Sequence, residues 1–195
     1  KVGYPKTTLW SVKNKEIRMN QTDADTTLVE TIIDRYTKTW SLLLQYDENR
    51  LDRPEKTHPS QIALDYDQAK NAIAIFKATL IAREEASELV GMERGQYLQS
   101  ILDNIHQTFD GQQLYPTIEE KAAHILYFVI KDHPFSDGNK RIGSLLFLLY
   151  LDTNGLLAQS GINDNGLVAL ALLIAESDPR QKDLLIRLIM NLLSS

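Results

Sequence analysis

The sequence predicts an all-α protein, a bundle of helices around one buried central helix, with a single small β-hairpin. Apolar residues recur at helical spacing through most of the 195 residues, and only residues 109–116 have the turn chemistry that joins short strands. The run Leu145–Leu151 is apolar on nearly every face, which is typical of a helix that crosses a core. The length and the apolar fraction of 43% fit one well-filled globular domain.

The N-terminal segment has no sustained hydrophobic period over residues 1–21, so we expect an extended lead-in or linker there. Residues 22–195 are assigned to one helical domain. Its first helix is predicted from Thr22 to about Tyr46, where apolar residues recur every four positions. The first residue is Lys1 rather than Met, which suggests a fragment of a longer protein.

Two further helices are predicted before the hairpin. A proline-bearing loop at Leu51–Pro59 separates the first helix from a second one around Ala69–Leu80. The third helix is predicted around Leu98–Ile105.

The stretch 109–116 contains the dipeptide Asp110-Gly111, which commonly forms the turn of a hairpin. We therefore predict a small hairpin or flap at this position. Thr117 then has the character of an N-cap, with Glu120 three residues later completing a capping box. The helix that follows is predicted to end at Lys131-Asp132.

A polar loop, residues 133–141, leads into the central helix, which we predict from Ile142 to about Asp152. Pro134 stops the preceding helix and favours an extended conformation for His133, and Asp137 is predicted as the N-cap. The central helix should end at Asn154-Gly155. Two more amphipathic helices are predicted, at Leu167–Ala175 and Leu184–Leu193.

The start of the central helix has the chemistry of an anion site. A helix N-terminus presents free backbone N–H groups and the positive end of the helix dipole, and Lys140 and Arg141 add two cations there. His133 is the group in this loop that can carry a proton near neutral pH, and Asp137 is the carboxylate that can hold a divalent cation. The loop therefore predicts a phosphate-bearing ligand.

Composition excludes several other classes of function. The absence of cysteine excludes disulfides, thiolate catalysis and zinc sites built on sulfur. A net charge of -5 argues against a broad nucleic-acid footprint, so we expect a nucleotide or protein partner and no direct binding to nucleic acid. No run is long enough to cross a bilayer, so no membrane association is expected.

The string His133-Pro-Phe-Ser-Asp-Gly-Asn-Lys-Arg141 resembles the signature HxFx(D/E)GN(G/K)R of the Fic/Doc (Fido) family. Residues 107–116 and 118–123 resemble the flap and the preceding helix of that family. The tail, 170–193, resembles the Fic domain at the C-terminal end of RhuM-type virulence-associated proteins. The resemblance covers a motif core of about residues 98–160 and implies the Fic fold.

The resemblance implies a protein-modifying transferase that moves AMP, or another nucleoside monophosphate, to a Ser, Thr or Tyr hydroxyl of a target protein. His133 would be the general base, Asp137 the Mg²⁺ ligand, and ATP or another nucleoside triphosphate the co-substrate. The implied nucleotide- and phosphate-binding residues are Gly138, Asn139, Lys140 and Arg141. The implied target-docking flap comprises Gly111, Gln112, Gln113, Leu114 and Tyr115.

Two departures from the family pattern leave the reaction open. Lys140 stands where AMP-transferring members have Gly, and this makes the motif similar to that of Doc-like toxins. Those toxins resemble kinases that transfer the γ-phosphate of ATP. Ser144 replaces a second Arg that contacts the nucleotide, whereas Gly138 differs from the Ala usual in Doc. The alternatives are therefore a Doc-like kinase and, from another class, a catalytically inactive binding or toxin-like module.

The resemblance also implies a bacterial protein, with a cytoplasmic location expected and secretion left open. An antitoxin partner, or an N-terminal domain absent from this chain, is a further possible partner. The inhibitory motif of many Fic proteins, (S/T)xxxE(G/N), has only an incomplete counterpart at residues 26–31, so we expect Glu30 to be a solvated helix residue.

Overall fold

The computed structural model describes residues 8–194, with side chains described from residue 26 onward. The chain divides into two compact units, residues 1–50 and 51–195. The unit boundaries predicted from the sequence, 1–21 and 22–195, stay a prediction.

The first unit is one long helix, α1, spanning Thr8–Asp47. The predicted end near Tyr46 is confirmed, but the extended conformation predicted for residues 8–21 is wrong, because these residues are helical; residues 1–7 lie outside the described part. No Gly or Pro occurs between Pro5 and Pro54, so nothing in the sequence interrupts the helix near residue 22.

The second unit contains six further α-helices and one small antiparallel sheet, which confirms the all-α class with a hairpin. The strands β1 and β2 pair through Thr108↔Gln113 and Phe109↔Gln112, on either side of Asp110-Gly111. The elements in chain order are α2 Tyr66–Ala82, α3 Tyr97–His106, β1 Thr108–Phe109, β2 Gln112–Gln113, α4 Ile118–Lys131, α5 Asn139–Thr153, α6 Asp164–Glu176 and α7 Lys182–Leu193.

The centre of this unit is formed by α4 and α5, which pack on each other. α4 also packs on α3, α6 and α7, and α5 on α2 and α6. Thr117 caps α4 as predicted, since its hydroxyl accepts the Glu120 N–H at 3.2 Å. The predicted capping box is wrong, because the Glu120 carboxylate pairs with Arg53 and does not reach back to the cap. α5 ends at Thr153 and is followed, as predicted, by Asn154-Gly155, with Gly155 at φ of 72°.

The N-terminal half of α4 buries charged side chains that the apolar stripe did not predict. The Glu119 carboxylate accepts the backbone N–H of His58 at 3.0 Å and lies 2.7 Å from its ring Nδ1. The Glu120 carboxylate pairs with Arg53 at 2.7 Å. These contacts fix the loop before α2 against α4, because a buried carboxylate must have a partner.

Candidate active site

The loop that joins α4 to α5 begins with an unusual backbone at His133. Its φ is 49°, in the left-handed region, so the predicted extended conformation is wrong. His133 follows the C-cap residue Asp132, a position that commonly ends a helix in this conformation, and Pro134 disfavours the helical alternative. A non-glycine residue held there stores on the order of 1–3 kcal/mol, and such strain clusters at functional sites. The His133 side chain is exposed.

The middle of the loop is held by the side chain of Asn139. Its Oδ1 accepts the Phe135 N–H at 2.9 Å, and its Nδ2 donates to the Phe135 carbonyl, also at 2.9 Å. Both residues are buried, with Phe135 only 1% exposed. The Asn139 side chain is therefore a clamp on the loop, so only its backbone N–H remains for a ligand.

The first turn of α5 presents unpaired backbone donors. The N-cap is Gly138, not Asp137 as predicted, with φ of 84° and no side-chain cap. The first N–H inside α5 with a helical partner is that of Ile142, which donates to Gly138 O at 2.8 Å. The N–H groups of residues 139–141 thus have no helical acceptor, the arrangement that binds anions.

A segment that the sequence analysis did not select, residues 87–95, pairs with this loop. Val90 forms a parallel bridge with Asp137, and Glu93 an antiparallel bridge with Phe135. Three hydrogen bonds hold the pair: Gly91 N to Asp137 O at 3.2 Å, Ser136 N to Met92 O at 2.9 Å, and Arg94 N to Pro134 O at 2.8 Å. We call residues 87–95 the pairing segment. Its sequence signal was the pair of glycines, Gly91 and Gly95, between two helices.

Close packing and one carboxylate anchor the pairing segment. A Cβ on Gly138 would lie 3.0 Å from a methyl group of Val90, so the segment sits directly on the N-cap of α5. Glu93 accepts the Tyr66 hydroxyl at 2.7 Å and the Leu98 N–H at 3.1 Å. The hydrogen bond to Glu93 raises the pKa of Tyr66 to about 12, so its hydroxyl stays a donor.

A cavity of about 440 Å³ opens at the loop and the start of α5. Arg141 also donates from Nη1 to the Glu85 carbonyl at 3.1 Å, which holds its guanidinium near the pairing segment. The structure therefore brings together the sequence-selected loop residues around one open space. The residues that line it are His133, Ser136, Asp137, Gly138, Asn139, Lys140 and Arg141.

A second cavity of about 440 Å³ lies between α2, α5 and α6, and we call it the apolar groove. It shares Lys140 and Arg141 with the first cavity, while His133 lines only the first. The remaining lining residues are Phe76, Ser144, Leu145, Leu148, Leu167, Val168, Ala171 and Leu172. The two cavities therefore meet at Lys140 and Arg141.

The hairpin formed by β1 and β2, predicted as a docking flap, packs against α4. Lys121 Nζ donates to Gln113 Oε1 at 2.8 Å, and Tyr115 stacks on His124 with ring centroids 3.8 Å apart. Gly111, Gln112 and Leu114 are exposed. Among the described residues no hydrogen bond joins the hairpin to the loop at 133–138, so its docking role stays a prediction.

The loop offers one carboxylate oxygen to a cation. Asp137 is exposed; its Oδ1 accepts the Gly138 N–H at 2.6 Å, whereas Oδ2 has no hydrogen-bond partner in the described part of the chain. Residues 26–194, whose side chains the structure describes, contain no cluster of three or more potential metal ligands from His, Cys, Asp or Glu. One free carboxylate fits Mg²⁺, which is commonly held by one or two carboxylates together with substrate phosphates.

The family model for the Fic/DOC family matches residues 14–151, well over half of the chain. The chain belongs to the Fic/DOC family. A comparison with curated proteins gave no significant match, and neither did a comparison with solved structures. Fic/DOC proteins are in general protein-modifying transferases that use a nucleoside triphosphate with Mg²⁺.

The matched region ends within α5 and includes the whole of the motif loop and the pairing segment. The resemblance of the tail to RhuM-type proteins stays a prediction. None of the helices in the described part of the chain combines the length and apolar content needed to span a membrane.

Proposed function

We propose that this Fic protein transfers a nucleoside monophosphate, AMP in the first instance, from a nucleoside triphosphate to a Ser, Thr or Tyr hydroxyl of a target protein. The observation that supports the proposal is the shared cavity, in which the exposed His133 and the free N–H groups at the start of α5 line one space. Nucleophilic attack on a bound phosphate requires a general base and an anion-binding group that line the same space.

His133 is the general base of the proposed reaction. In its neutral form, one ring nitrogen accepts the proton of the target hydroxyl as that oxygen attacks the α-phosphorus. The bond from the α-phosphorus to the oxygen that bridges it to the β-phosphate breaks, and pyrophosphate leaves. The exposure of His133 gives a bulky protein substrate access to the ring, and the fixed backbone at φ of 49° holds the side chain at the cavity mouth.

The phosphate groups are held by backbone and side chain together. The N–H groups of residues 139–141 project from the first turn of α5, behind the left-handed N-cap Gly138. Lys140 and Arg141 add two cations that line the same cavity. A bound Mg²⁺ would be held by Asp137 and would neutralise charge on the phosphate oxygens.

The target polypeptide is proposed to dock near the loop. The pairing segment is better placed for this role than the hairpin at β1 and β2, because its backbone is hydrogen-bonded to the loop itself. Leu89 and Met92 on this segment are each about half exposed, so they offer apolar contacts to a bound chain.

The second candidate is transfer of the γ-phosphate, as in a Doc-like kinase. The apolar groove favours it, because a nucleobase in the groove would lie beyond Lys140 and Arg141, away from His133. The γ-phosphate, which is the end of the triphosphate farthest from the nucleobase, would then lie nearest to His133.

The two reactions are separated by the position of the label. Purified protein is incubated with a target extract and each of the four nucleoside triphosphates, labelled at the α or the γ position. Label from the α position on protein supports nucleoside monophosphate transfer, and label from γ alone supports phosphorylation. Label must be lost in His133→Ala. Absence of label with all four nucleotides, in wild type as in His133→Ala, would favour an inactive binding module.

The orientation of the nucleotide has its own test. Val168→Glu places a charge in the apolar groove, whereas Ala169→Glu places it next door on α6, outside the groove lining. If the nucleobase occupies the groove, only Val168→Glu weakens nucleotide binding, and neither change weakens binding of inorganic triphosphate. Equal nucleotide affinity in both variants would remove the support for the kinase orientation.

A further inference from the structure

The helix α1 carries a wide apolar face exposed in the structure. Eight of its large apolar side chains between residues 28 and 44 are each 43–59% exposed, whereas the opposite face carries Glu30, Asp34 and Lys38. A single helix gains little from propensity alone, so a face of this kind needs a partner in water. The exposed side chains are Leu28, Val29, Ile32, Ile33, Tyr36, Trp40, Leu43 and Leu44.

The order of these residues is nearly palindromic about Tyr36. Val29 and Leu43 stand seven positions before and after it, Ile32 and Trp40 stand four, and Leu28 and Leu44 stand eight. In an antiparallel pair of identical helices, residues at equal distance on either side of the centre meet at the same level. A two-fold interface requires this self-complementarity, because one patch must match itself.

The spacing within the face supports the same partner. Val29, Ile33, Tyr36, Trp40 and Leu43 follow one another at intervals of four, three, four and three, the repeat that keeps a seam facing another helix. Six of the eight side chains are aliphatic, at roughly 60–120 Å² each, and two are aromatic, at ~150–250 Å² each. With about half of this surface free, the face offers on the order of 300–600 Å² per copy. A standard interface buries about 800 Å² per partner, so we expect a weak, concentration-dependent dimer.

We propose that α1 pairs with α1 of a second copy of this chain, antiparallel and centred on Tyr36. The pairing buries the apolar face of both helices and leaves the charged faces in water. It does not depend on the transfer reaction proposed above, so either proposal can fail without the other.

The absence of cysteine from the sequence allows a direct test by disulfide trapping in the full chain. A Tyr36→Cys variant places two thiols at the centre of the pair, within reach of a disulfide. A Leu28→Cys variant places them about 24 Å apart in the antiparallel pair, too far for a bond. The double variant Leu28→Cys with Leu44→Cys restores bonding between copies.

The expected result is a covalent dimer from Tyr36→Cys and from the double variant, and none from Leu28→Cys alone. A covalent dimer from Leu28→Cys alone would indicate parallel pairing and overturn the proposal. Sedimentation equilibrium should give a mass approaching twice the 22.2 kDa of the chain as concentration rises. Monomer at every concentration overturns the proposal as well.

A matched pair of charge variants tests whether dimerisation depends on the apolar face of α1 or on the helix in general. Trp40→Glu puts a charge into the apolar face and should convert the dimer to monomer, whereas Lys38→Glu changes the opposite face and should leave the dimer intact. Circular dichroism and the melting transition of each variant check that the chain still folds. Loss of the dimer in both variants, or in neither, contradicts the proposed face.

Discussion

The clamp formed by Asn139 provides the sharpest test of how the loop is held. In Asn139→Ala, the buried Phe135 N–H and carbonyl each lose a partner at 2.9 Å. A buried polar group left unpaired costs about 1–3 kcal/mol, so we expect the free energy of unfolding to fall by about 2–4 kcal/mol. For a chain of this size, that corresponds to a fall in Tm of roughly 5–12 °C.

The assay is denaturant unfolding of wild type, Asn139→Ala, Asn139→Asp and Asn71→Ala. The Asp variant keeps the acceptor for the Phe135 N–H but places a carboxylate oxygen against the Phe135 carbonyl in a buried position, so we expect a loss at least as large as in Asn139→Ala. Asn71 is exposed on α2, and its change should stay within about 0.5 kcal/mol. If Asn139→Ala unfolds like wild type while its nucleotide affinity falls, the side chain serves the ligand and the clamp interpretation is refuted.

Three further predictions rest on single residues. Gly138→Ala should destabilise more than Gly155→Ala, because both have positive φ but only at Gly138 would the new methyl group meet Val90, at 3.0 Å; equal losses in thermal unfolding would contradict this. His124 has its pKa lowered from 6.5 to about 4, chiefly by burial. The unfolded chain therefore takes up this proton first, and stability should fall by about 3 kcal/mol from pH 6.5 to 4; the same fall in His124→Asn would refute the assignment. Lys131→Met removes a donor to two carbonyl oxygens at the end of α6 and should lower the free energy of unfolding, measured with denaturant, by about 1–3 kcal/mol. An unchanged free energy of unfolding would show that these hydrogen bonds do not stabilise the fold.

The elements with a strong local signal were predictable from the sequence. The capping residue Thr117, the turn Asp110-Gly111 and the terminal Gly155 each act on the few residues around them, so the helix and hairpin positions followed. The free N–H donors of the motif loop were likewise predictable, because they come from one helix start; that they bind an anion stays a prediction.

What the sequence did not predict depends on partners distant along the chain. The buried Glu119 and Glu120 are stabilised by His58 and Arg53, more than sixty positions earlier, which no periodicity shows. The pairing segment has the same explanation, since its bridges to the loop join residues more than forty positions apart in an irregular stretch. The true N-cap, Gly138, was missed because Asp137 has the preferred capping chemistry but caps nothing in α5.

The start of α1 shows that a change in hydrophobic period does not by itself locate the start of a helix. A change in hydrophobic period near Thr22 was interpreted as a helix start, yet the helix begins at Thr8. Residues 8–21 contain neither Gly nor Pro and include good helix formers, so propensity continues the helix where the apolar pattern ends.

The central claim is that His133 and the amide cradle of α5 act on one nucleoside triphosphate. The most direct measurement compares nucleotide affinity and transfer rate in His133→Ala and Lys140→Ala. We expect His133→Ala to bind nucleotide within a few-fold of wild type and to lose about 10²–10⁴ in transfer rate, because it removes a base and no phosphate contact. Lys140→Ala should weaken binding itself. Transfer that continues at the wild-type rate in His133→Ala would contradict the account.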